Sequence, residues 1–431
     1  MFMSVQPRGA WLLVLAAFVL MAGMRAYFRT VIIPTQETDA AAHDKPRGNL
    51  SDLYPRWLGA RELLLNHRDP YSDEVTGDIQ RGVWGRTLDP KKPNDPQDEM
   101  RFAYPLYVVF LLAPTVTLQF ESVQRLYFAL TIALSVASVW LWLRTFGHRS
   151  SFPGVPVAAM LFLGSYPVVE ALYLQQPALV VAGLIAAAFA AITTGTFWAA
   201  GIMLGLAMIK PQSVAPIACW LLFWALCRWR DRKILFISYV TTIAVMCAGA
   251  ELLLPGWVWK WREATSSYLG YTSGVPAHVQ VIFGNYPGAV VGFVLVLAVG
   301  VFCWKARGDL PSSDRFKLAP ALILAVNMAV TPIWHEYDHL FLLPAVLLIF
   351  HWRDQFHRMK PLACAIVSLS AIVFMWQWIG ALTLTLIALI STDLARSWQI
   401  LPWLPVFFAP ALVLISLTLI ARAQLSERYG Y

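Results

Sequence analysis

Residues 286–304 read YPGAVVGFVLVLAVGVFCW, and Lys305 and Arg307 follow at once. No charge interrupts the run, and a helix needs roughly 20 such residues to cross the hydrocarbon of a bilayer. Comparable runs occupy 10–33, 104–120, 124–143, 155–172, 177–194, 196–210, 212–227, 234–254, 318–333, 340–350, 361–390 and 402–421. The chain therefore reads as an all-α integral membrane protein, a multi-span helical bundle of about 11 to 13 spans in a single domain over residues 1–431. The run 361–390 is long enough for one tilted helix or two half-helices.

Composition agrees with lipid as the main solvent. Of 431 residues, 58% are hydrophobic and 13% charged, too few charges for a water-soluble surface. The net charge of +8 reads as a bias of loops toward one side of the membrane, and no basic run is long enough for a nucleic-acid footprint. Five cysteines in or beside apolar runs make neither a disulfide framework nor a thiolate metal cage. Many of the 19 tryptophans, among them Trp57, Trp84, Trp257, Trp334, Trp352 and Trp403, stand near segment ends as an interfacial belt. The first apolar run lacks a clean small-x-small cleavage site and resumes through Val31–Ile33, so it reads as an uncleaved first span.

Basic stretches set the sidedness. Arg228–Lys233, Lys305–Lys317 and Trp352–Lys360 read as cytoplasmic, which places 34–103, 255–285 and 334–339 outside a cell membrane. The parity closes if 104–120, broken by Pro105 and Pro114, does not cross; the alternative puts Arg144 outside. Neither a Gly-rich phosphate loop nor an internal repeat is present, which argues against a nucleotide site and an inverted-repeat transporter.

Within the first loop, 51–67 reads as an interfacial amphipathic helix with Leu53, Trp57, Ala60 and Leu64 on one face. Asp69-Pro70-Tyr71 ends it as a turn, and 73–100 reads as a polar, mobile flap. Asp52 has two readings: an N-cap, or a partly desolvated carboxylate tuned as a general base. Asp39, Asp69 and Asp73 need only turn or cap roles, and His278, His351 and His357 read as solvated loop residues.

The ordered set Asp52-x-Tyr54, Ala60…Leu63-Leu64, Asp69-Pro70-Tyr71, Phe102-x-Tyr104-Pro105, Gln176, Gly201…Gly205…Lys210-Pro211 and Thr331-Pro332…Tyr337-Asp338…Pro344 resembles glycosyltransferase family 87. Those enzymes are polyprenyl-phosphate-dependent mannosyltransferases and their relatives, with a GT-C fold. The likeness covers roughly 10–350; each piece is weakly specific, and their order and spacing more so. Two departures leave the sugar open: Leu106 replaces a second proline, and Gln175-Gln176-Pro177-Ala178 stands where Gly-Gln-x-Asn is frequent.

The resemblance implies hexose transfer, with inversion, from a polyprenyl-phosphate donor to a lipid or glycan acceptor in the bilayer, without a metal cofactor. It makes Asp52 the base that deprotonates the acceptor hydroxyl. Lys210, His335 and Tyr337 would hold the donor phosphate or sugar, and Tyr54, Tyr104, Gln176 and Asp338 would line the pocket. A lysine inside the membrane is costly and functional by default, although Lys210 at a helix end has a snorkelling reading as well. Arg25 and Arg29, one turn apart, share a face that either lines the lipid-phosphate path or snorkels.

His335-Glu336-Tyr337-Asp338-His339 also matches H-E-x-x-H, in which two histidines one turn apart hold zinc and the glutamate activates water. A zinc intramembrane protease is therefore one alternative, and a lipid-linked sugar flippase another. The short loop, Pro332 just upstream and the lack of an evident third ligand count against zinc.

Overall fold

The computed structural model describes residues 7–43, 51–89, 91–148, 152–272, 274–332 and 334–429, all helices and connections without a strand. Six helices are long and apolar enough to cross a membrane: Gly9–Ala42, Phe120–Thr145, Trp229–Leu253, Asn285–Ala306, Pro361–Ala388 and Leu404–Ser426. A seventh crossing is Gly154–Leu163 with Tyr166–Tyr173 if the pair, bent by 58°, is one span. The chain is a multi-span helical membrane protein, and 361–390 resolves as one helix.

Several apolar runs form helices too short to span. Ala178–Thr193, Phe197–Ala207 and Pro211–Cys227 have 16, 11 and 17 residues. At about 1.5 Å per residue, the middle one rises only roughly 16 Å. Most of Ala178–Thr193 is buried against other helices, so its apolar length fills protein rather than bilayer. Full-length spans thus number six or seven among the described residues, below the 11 to 13 that apolar runs alone suggest. Segment 104–120 forms only the short helix Val108–Leu112 and a single 3-10 turn, in keeping with a piece that does not cross.

Small residues bring two helices together near the site. A Cβ on Gly201 would lie 2.8 Å from the Tyr239 backbone nitrogen, and one on Gly205 2.8 Å from Thr242 Cγ2. Phe197–Ala207 therefore lies directly on Trp229–Leu253, a small-residue contact suited to lipid, where van der Waals packing drives association.

The first loop is more ordered than its polarity predicts. Helix Leu53–Asn66 buries Leu53, Trp57, Ala60 and Leu63 in the main core with Phe102, Leu106 and Leu112. Its apolar face therefore meets protein, and Leu63 takes the buried place expected of Leu64. The mobile flap is a correction too. Residues Asp73–Trp84 form a helix capped by Ser72, which accepts from Val75 N at 3.2 Å, and bury Val75, Ile79 and Val83. The following turn is held by Arg86 on Asp95 at 2.5 and 2.9 Å.

Candidate active site

A cavity of about 610 Å³ opens where Leu53–Asn66, the 98–105 segment, Trp257–Thr272 and the 327–338 connection meet. Asp52, Arg56, Tyr104, Gln176, Lys210, His335, Tyr337 and Asp338 all line it. Residues far apart in sequence thus converge, and a concave site of this size suits a small polar group with part of its carrier.

Asp52 occupies the N-cap position, but its carboxylate makes no capping bond. It instead accepts from the Gln176 side-chain amide. Its backbone N–H donates to Leu174 O at 3.1 Å, while the Ser51 hydroxyl donates to the Gln175 side-chain oxygen. Gln175 takes a φ of 53°, left-handed for a non-glycine residue, which costs about 1–3 kcal/mol. The strained turn aims Gln176 at Asp52. Burial pushes the Asp52 carboxyl above its ordinary range, and the positive charge of Arg56 opposes that shift. A desolvated carboxylate with its charge partly supported is how a general base is tuned.

The opposite wall is built from Lys210 and the 335–338 segment. Lys210, 2% exposed, stands between Phe197–Ala207 and Pro211–Cys227, where Pro211 needs no N–H donor at the first helical position. Its ammonium pairs with Asp338 and lies 4.9 Å from the centre of the Tyr337 ring. Such burial excludes a snorkelling role. His335 stacks on Tyr337 at 5.0 Å and hydrogen-bonds Tyr268 Oη at 3.2 Å. Burial holds the Tyr337 phenol far above its usual range, so it is a hydrogen-bond donor at every physiological pH.

Two expectations are corrected. Tyr54 does not line the cavity; its ring packs on Phe120 at 4.9 Å and Trp57 at 5.9 Å. Two residues after Asp52, it points about 200° around the helix from the carboxylate. His278 is not solvated: it is 2% exposed, stacks against Trp334 at 4.0 Å and lies 3.2 Å from His339, nitrogen to nitrogen. Burial, and then His339, push its imidazole down to about 3, so it stays neutral. Arg25 and Arg29 are exposed and lie off the cavity.

The H-E-x-x-H match does not assemble. Glu336–Leu342 is a 3-10 helix, in which residues four apart no longer share a face as they do in an α-helix. His335 turns to Tyr268, His339 to His278, and Glu336 accepts from Trp403 Nε1 at 2.7 Å. No three His, Cys, Asp or Glu among the described residues gather as metal ligands. Asp69, by contrast, plays the turn role expected of it, accepting from Tyr71 N at 2.9 Å and from Lys260 at 2.5 Å.

Arg56, which sequence reasoning passed over, shares the face of Asp52 one turn on. Its guanidinium lies 4.0 Å from the centre of the Tyr104 ring and donates to the backbone carbonyl of Asp52. The signal was the i, i+4 spacing from the candidate base.

The sequence model of glycosyltransferase family 87 matches residues 102–355, more than half of the chain. The chain belongs to that family. No curated protein matches it. A family-87 member transfers sugar, so this chain is a membrane glycosyltransferase. The match takes in Tyr104, Gln176, Lys210, His335, Tyr337 and Asp338 but starts after Asp52 and Arg56, which come to the same cavity by folding.

Proposed function

We propose that this family-87 enzyme moves a hexose, mannose being the first to test, from a polyprenyl-phosphate donor to a lipid or glycan hydroxyl on the extracytoplasmic face of the cell membrane. The observation that carries the reading is the half-buried Asp52 carboxylate on one wall of a cavity whose other wall holds Lys210, His335 and Tyr337. Asp52 takes the proton of the acceptor hydroxyl, whose oxygen bonds to C1 of the sugar. The bond from C1 to the phosphate oxygen breaks, and the lipid phosphate leaves from the opposite face. One displacement inverts the anomeric centre and needs one base without a covalent nucleophile. Fixed protein donors at the leaving phosphate supply the charge stabilisation. A divalent metal is not required in this scheme, and turnover should persist in EDTA.

Asp52→Asn keeps the shape and removes the base. Transfer from radiolabelled polyprenyl-phosphate hexose should fall by about 10²–10⁴-fold, the usual worth of general base catalysis. Full activity in both Asp52→Asn and Asp52→Ala would remove Asp52 from the mechanism. Donor that crosses vesicle membranes without being consumed in detergent would favour a flippase instead.

A further inference from the structure

Resting on that reading, we propose that Arg56 is the residue that binds the donor phosphate, while Lys210 is held in a structural pair with Asp338. Among the described residues, three cationic side chains of fixed charge line the cavity: Arg56, Arg101 and Lys210. Arg101 is taken by Asp73 at 2.9 Å and by Glu99. Lys210 is taken by Asp338, so its charge is largely cancelled before any ligand arrives. Arg56 has no carboxylate at ion-pair distance among the described residues.

The Arg56 guanidinium is also short of hydrogen bonds. One terminal nitrogen donates to the Asp52 carbonyl, and the buried Nε has no partner. Nearby on the same wall, the Gln176 side-chain oxygen is buried without a partner as well. Leaving a buried donor unmet costs about 1–3 kcal/mol, and more for a charged group. A ligand with acceptor oxygens removes that cost, and a phosphate meets the planar guanidinium with two parallel bonds where an ammonium offers a point charge. The guanidinium carbon sits over the Tyr104 ring, and both side chains line the cavity.

Arg56 stands in the first turn of the helix that Asp52 precedes, and its guanidinium reaches back to the Asp52 carbonyl, so the segment 52–56 would carry both the base and the phosphate clamp.

Geranyl phosphate, a short polyprenyl phosphate, tests this by binding to the full-length protein in detergent, with geraniol as the uncharged control. Arg56→Met should weaken geranyl phosphate at least tenfold, leave geraniol unchanged, and raise the donor KM more than it lowers kcat. Arg56→Lys keeps the charge, loses the fork, and should lose several-fold; it also serves if the methionine variant does not fold. Unchanged affinity in either folded variant overturns the assignment and leaves the proposed reaction standing. Failure of the wild-type protein to bind it removes the polyprenyl-phosphate reading itself, and Arg56 with it.

Discussion

The two walls of the cavity are built on opposite terms. The 335–338 wall is closed: Lys210 meets Asp338, His335 meets Tyr268, Glu336 meets Trp403 and His339 meets His278. The Asp52 wall is left open: the carboxylate has one side-chain amide, Arg56 Nε has nothing, and Gln176 leaves its oxygen unmet. Stability favours the first arrangement and chemistry needs the second, because groups already paired have little left for a substrate. Closure on one side gives the open side a rigid frame to face.

The largest test of this contrast is Lys210→Met. Removing one partner of a buried ion pair strands the other charge and should cost about 3–5 kcal/mol, read as a lower unfolding temperature in detergent. The double variant Lys210→Met, Asp338→Leu should regain most of that stability. A single variant as stable as the wild type would break the picture of a closed wall.

Asp52→Asn should act in the other direction, with higher stability at pH 7. Burial raises the folded-state pKa of Asp52, so ionisation costs stability above that pKa and nothing below the unfolded value near 4. The gain should therefore disappear as pH falls toward 4. The same shift puts the acid limb of the activity profile above the ordinary carboxylate range, with turnover rising as pH rises through it. Gln176→Leu removes a donor to the carboxylate and should move that limb further up. A limb that stays in place would mean that the amide does not support the base. The smallest effect belongs to the rim, where Lys260 and Asp69 are 41% and 27% exposed and Lys260→Ala should change stability by less than about 1 kcal/mol.

Apolar runs made the helical membrane fold legible, because burial in lipid or in a helical core needs the same residues. For that reason they overcounted spans: Ala178–Thr193 is as apolar as a lipid-facing helix but sits inside the protein. The convergence of Asp52, Gln176, Lys210 and His335 followed from motif order, which carries three-dimensional information. Which face each residue shows did not. Tyr54 follows Asp52 by two places and points away, while Arg56 follows by four and shares its wall. His278 read as solvated because it falls in the 255–285 loop, and its burial comes from Trp334, His339 and Phe407, remote in sequence.

Gly201 does not line the cavity, yet the site depends on it. Its missing Cβ lets Phe197–Ala207 rest on the backbone of the neighbouring helix, and that contact sets where the chain emerges to present Lys210. A screen for inactive variants should therefore recover Gly201→Leu alongside changes at Asp52, though the two defects would differ in kind. The glycine variant would fail at every substrate concentration through misplaced helices, and because its Cβ would meet the backbone of Leu235 and Tyr239, a smaller side chain on the neighbouring helix would not restore function. In this molecule a genetic map of inactivity would extend well into the bilayer, far beyond the atoms that react.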